Sequence, residues 1–161
     1  MTETAKRPTW IRTTALVAVI ALVVGVTGGW LIYAISGPET PASVWLLRAD
    51  QATLVQGDDG AVLTLTGVGE SAVKFDTNAD DITDTKSSGD LFDAWDATFG
   101  EDGQRAAVAG VAAGEPVQFT VSLSDARWDA ATGTVTFVAD DVDGADSLDR
   151  VNDVVVAIDG S

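Results

Sequence analysis

The sequence predicts a mainly β, sandwich-like domain of about seven to eight short strands with one amphipathic helix, preceded by one transmembrane helix. Three observations predict it. An uncharged apolar run near the N-terminus is as long as a bilayer is thick. Behind it, short β-branched stretches of alternating polarity recur between Gly- and Asp-rich turns. Within that β pattern, residues 88–99 alone switch to helical spacing.

Residues 1–12 form a basic tail carrying Lys6, Arg7 and Arg12. From residue 13 to residue 38 no side chain is charged, a run of 26. About 20 residues at 1.5 Å each cross a bilayer's hydrocarbon layer, so residues 13–35 read as a signal-anchor helix. Trp10, Trp30 and Tyr33 sit where interfacial anchors belong. The cations flank the N-terminal side only, so the positive-inside rule puts that end in the cytoplasm and the remainder outside the cytoplasmic membrane. A cleaved signal peptide is the competing reading, because Ala34-Ile35-Ser36 supplies small residues ahead of Gly37. Cleavage near Ser36 would secrete the same body; the length of the run favours retention. Gly25 and Gly29 form a Gly-x-x-x-Gly pair through which two such helices can approach as a homodimer.

Residues 36–43 read as a helix-breaking linker, and residues 44–161 as the exported body, with folding expected to begin near Val44. Residues 52–56 and 61–66 flank Gly57-Asp58-Asp59-Gly60 and predict a hairpin. Val73 to Phe75 is a short strand, and residues 76–87 are an excursion or an irregular edge strand. Ser88 as N-cap, Asp90 in the first turn and Gly100 as terminator bound the helix. Leu91, Phe92, Trp95 and Phe99 share its apolar arc, which packs on a sheet or lines a ligand groove. Strands resume at 106–111, 116–124 and 134–139, with residues 125–133 as a connection carrying Arg127 and Trp128. A final apolar strand covers 152–159.

Several of these segments resemble a family of small exported bacterial and archaeal domains of uncharacterised function. The matching pieces are Leu65-Thr66-Gly67-Val68, Phe75-Asp76, Leu91 with Trp95, Leu123-Ser124-Asp125-Ala126-Arg127-Trp128, and Val155-Val156-Ala157-Ile158-Asp159. Together they span about residues 50–159. The family's Arg-Pro-x-Arg after the Phe is replaced here by Thr77-Asn78-Ala79-Asp80. The resemblance implies fold and export and brings no activity.

Composition narrows the chemistry. The chain has no Cys and no His, which removes disulfides, thiolate and imidazole metal sites, and His-based triads. Beyond the hydrophobic run, 24 acids face 6 bases, a net charge of −18. Such a surface repels phosphate backbones, so nucleic acid is not an expected partner. It also repels anionic headgroups, so the body is expected to stand off the bilayer. No phosphate-cradling or dinucleotide fingerprint is present, and no cofactor is expected.

The most suggestive local feature is Asp140-Asp141-Val142-Asp143-Gly144-Ala145-Asp146. Asp141, Asp143 and Asp146 are candidate calcium ligands, since alternate carboxylates around a Gly turn can converge on a hard cation. The distal Glu of a calcium loop is missing, and a solvated acidic loop explains the same residues. Asp76, Asp80, Asp81 and Asp84 form a looser group. Trp45 and Trp128 are candidate stacking platforms, with burial expected for at least one. The resulting expectation is a non-enzymatic interaction domain of unknown ligand, with a calcium-stabilised domain and a carboxylate hydrolase as alternatives.

Overall fold

The structure, a computed structural model, describes residues 42–58, 60–79, 81–145 and 148–160. The basic tail, the anchor with Gly25 and Gly29, and the linker up to residue 41 lie outside the described residues. No described helix is long and apolar enough to cross a membrane.

The body is built from strands β1 (Ser43–Gly57), β2 (Gly60–Thr66), β3 (Ser71–Asp76) and β4 (Asp81–Ser87), followed by helices α1 (Ser88–Asp93) and α2 (Trp95–Phe99). Strands β5 (Gln104–Ala112), β6 (Glu115–Asp129), β7 (Thr134–Asp143) and β8 (Leu148–Asp159) complete it. The mainly β expectation therefore holds. The predicted hairpin is β1–β2, in register from Gln51 opposite Thr66 to Gly57 opposite Gly60.

All ladders are antiparallel, in the order β2-β7-β6-β5-β8-β1-β3-β4, and β1 also pairs with β2. Six strands thus close on themselves. β1 allows this because one of its edges is shared: residues 43–46 pair with β3, and residues 51–57 pair with β2. β8 runs along the opposite edge. The β3–β4 hairpin stays outside the ring and ends in the irregular edge strand expected for residues 76–87, its register slipping between Lys74 and Phe75.

Two predicted boundaries are corrected, both at aspartates. Residues 125–133 are not one connection: β6 continues to Asp129. Residues 140–143 are not a loop: they are the end of β7. In each case Asp interrupts the polarity pattern as a turn would, yet the chain forms a bulge and carries on. Asp125 and Ala126 together oppose Phe137, and Asp141 and Val142 together oppose Val121. Asp153 and Val154 oppose Gly110 in the same way. These three aspartates have φ of 51°, 49° and 52°. Asp tolerates the left-handed region better than most residues, and a bulge there bends and twists the strand, as closing a small ring requires. The bulge at Asp125 is also why β6 runs for 15 residues where a strand ending at residue 124 was expected.

The predicted single helix is two. Ser87, one residue before the expected cap, accepts the Asp90 N–H at 3.0 Å and donates to the Asp90 carboxylate at 2.7 Å. Ala94, at φ −104° and ψ 25°, breaks the helix, and Gly100 ends its second piece. The break lets Phe92 and Trp95 both reach Phe137, at centroid distances of 5.8 and 5.1 Å. Leu91, Phe92 and Trp95 are buried in the core with Leu54, Leu63, Leu65, Leu123 and Val156, so the aromatic arc is chiefly packing.

Candidate functional site

Two surface grooves are lined by polar groups, and the first holds part of the acidic run singled out in the sequence. The first, of about 480 Å³, lies beside the hairpin end and is lined by Gln56, Gly60, Asp140, Asp141 and Val142 among others. Gly60 lines it at φ 124°, a conformation that side chains rarely adopt, and a Cβ there would make ordinary contact with Asp140 Oδ1 at 3.7 Å. Asp141 reaches this groove because the bulge breaks strand alternation. Asp143, beyond the bulge, pairs opposite Thr120 and is not part of the lining. Asp146, the third candidate calcium ligand, lies outside the described residues, as does Asp80 of the looser group. Among the described residues, no three acidic side chains are grouped to hold a metal.

The second groove, of about 370 Å³, runs between the helices and the bulge of β6. Asp93, Asp96, Asp125 and Arg127 line it above the buried ring of Trp95. Sequence reasoning missed this grouping because Asp125 and Arg127 were assigned to a connection. Arg127 instead pairs opposite Thr136 within β6. No periodicity signal marks a bulge, although an Asp that interrupts an alternating run is the available hint.

Neither candidate stacking platform stands open. Trp45 is 2% exposed, with the Lys86 ammonium 5.4 Å from its ring centroid. Trp128 is half-buried, tilted against Phe92 at 5.4 Å. The conspicuous exposed apolar groups are instead Val55 and Val62, 61% and 42% exposed. They face each other across the β1–β2 ladder, and Val138 lies next in the row.

Among the described residues no acid is buried. Among the described residues the one buried polar side chain is Ser88, whose hydroxyl donates to Gly69 O. Asp129 shows a displaced titration. Hydrogen bonds from the Thr132 side chain and from the Ala131 N–H, the latter 2.9 Å from Oδ1, hold its carboxyl below the usual range. This is a turn-forming role at the β6–β7 corner. No protein family, curated protein or solved structure matches this chain.

Proposed function

We propose that the protein is an outward-facing, non-enzymatic interaction domain held by a single-span anchor in the cytoplasmic membrane. The observation that carries this reading is the charge layout: 26 uncharged residues, cations before them only, and a −18 body behind. That no carboxylate among the described residues is buried supports binding over hydrolysis, since acid–base pairs depend on desolvation to set their two protonation states. The closed ring supports it too: a body whose ladders satisfy one another has few open edges and suits exposure outside the cell.

The test is topological. Full-length protein in intact cells is treated with protease, then again after lysis. Cleavage of the body in intact cells is the expected result, with residues 1–12 left protected. A body reached only after lysis defeats the proposal. Cross-linking in the same membranes reads the second half of the claim, because an interaction domain yields a defined adduct and not only free monomer.

A further inference from the structure

A ring of strands has no edge, but this ring carries a hairpin outside it. Among the described residues every other strand has a ladder neighbour on each side, and β4 has β3 alone. Five of its seven residues are exposed and two half-buried, and no Pro interrupts it. Such an edge is a template on which a second chain can add a strand.

Strand addition uses the outward N–H groups of the edge as donors and its outward carbonyls as acceptors. In an antiparallel ladder the residues that turn both groups outward recur at every second position. β4 carries one extra residue, because Asp84 opposes Lys74 while Ile82 opposes the next residue, Phe75. Across that bulge the repeat of two becomes three, which places Ile82 and Thr85 on the same side. Both of their N–H groups are already occupied. The Ile82 N–H donates to Asp81 Oδ1 and the Thr85 N–H to Asp84 Oδ1, each at 2.8 Å. The acceptor in each case is the preceding side chain and not a ladder carbonyl, so these two donors face away from β3. Beyond Thr85 the strand runs into α1, which Ser87 caps, and the Ser88 N–H donates to Glu70 O at 2.9 Å.

We infer that Asp81 and Asp84 guard this edge: their carboxylates take its free donors and keep β4 from pairing with β4 of a second copy. An incoming strand would bring carbonyl oxygens to Ile82 and Thr85 and meet carboxylate oxygens there, acceptor against acceptor. Displacing them breaks two hydrogen bonds to charged acceptors, which are stronger than neutral ones. Pairing β4 with β4 would also gather four carboxylates along one seam, and like charges across a ladder destabilise it. The consequence is a body without an open edge, in which six strands close on one another and the outlying hairpin is capped by its own side chains. This goes beyond the anchored reading and stands without it.

The chain has no Cys, so one introduced thiol reports on the edge. Full-length protein carries Thr85→Cys alone, with Asp81→Asn and Asp84→Asn, or with Asp81→Ala and Asp84→Ala, and is treated with a short bismaleimide. Asn keeps an acceptor oxygen beside each N–H, whereas Ala removes it. The Ala variant is expected to give roughly tenfold more product of doubled mass than the parent, as two released donors allow. The Asn variant is expected to stay at the parent level. An Ala variant that links no more than its parent overturns the inference. So does an Asn variant that links as the Ala one does, because charge alone would then hold the edge. Equal product from Thr64→Cys in the Ala background overturns it too, since association would then lie elsewhere. Should the double Ala variant lose its cooperative melting, hydrogen exchange in the single Asp84→Ala variant decides. Its Thr85 amide is expected to exchange about fivefold faster than in the parent, on loss of one exposed hydrogen bond. Equal rates would show that the carboxylate holds nothing.

Discussion

The two halves of the ring bury different amounts of themselves. In β2, β7 and most of β6, buried and half-buried positions alternate, and the outer face carries Thr53, Thr64, Thr136, Val62 and Val138. In β5, β8 and the first part of β1, consecutive residues are buried. One half is thus a sheet with one solvated side, and the other buries residues on both of its faces. The same ring serves both purposes because β1 changes role along its length, from the apolar run at residues 44–47 to the alternating arm of the hairpin.

The largest effect that separates the halves comes from a charge on the outer face of each. Ala107→Asp buries a carboxylate where exposure is nil, and is expected to cost about 3 kcal/mol or more. Thr136→Asp, on the alternating side, is expected to stay within about 0.5 kcal/mol. Urea melts of the two variants make the comparison. Equal losses would erase the distinction between the halves.

Much of this was legible in advance. The β1–β2 hairpin follows from β-branched runs around Gly57 and Gly60, and alternation in Val117 to Ser124 locates β6. The buried character of β8 shows in Val154 to Ile158. What was not legible lies at Asp125, Asp141 and Asp153. Asp ends a strand by turn formation or continues it through a left-handed bulge, and sequence polarity is the same in both cases. The residues opposite the three bulges are Phe137, Val121 and Gly110, which share no sequence signal. Of the candidate calcium ligands Asp141, Asp143 and Asp146, the first two stand at the end of β7 and the third lies outside the described residues. The break at Ala94 was hidden because the aromatic spacing is as compatible with one helix as with two.

An intermediate effect is expected where a bulge meets its partner strand. A Cβ on Gly110 would lie 2.5 Å from Val151 Cγ1 and 2.7 Å from the Asn152 carbonyl oxygen, a backbone atom with little freedom to yield. Gly110→Ala is therefore expected to destabilise the body by about 1–3 kcal/mol through overpacking. Gly114→Ala provides the contrast for turn strain alone, since nothing lies within 4 Å of its Cβ position although its φ is +85°. If thermal melting shows the Gly114 variant to be the weaker of the two, crowding at the β5–β8 bulge is not what fixes the glycine.

The smallest effect belongs to the corner where β6 turns into β7, on the alternating half. The hydrogen bonds from Thr132 and from the Ala131 N–H favour the charged form of Asp129 and hold its carboxyl below the usual range. A group whose folded-state titration is depressed adds stability above its unfolded value and loses it as pH falls through the folded one. Asp129→Asn keeps an acceptor in the turn but removes the charge. The parent protein should therefore melt slightly above the variant at neutral pH, with the gap closing in acid. Other carboxylates are common to both proteins, so the difference between the two melting curves isolates this one. A gap that widens as pH falls would assign the turn's stability to the neutral side chain, and the corner would then owe nothing to the charge that dominates the rest of the surface.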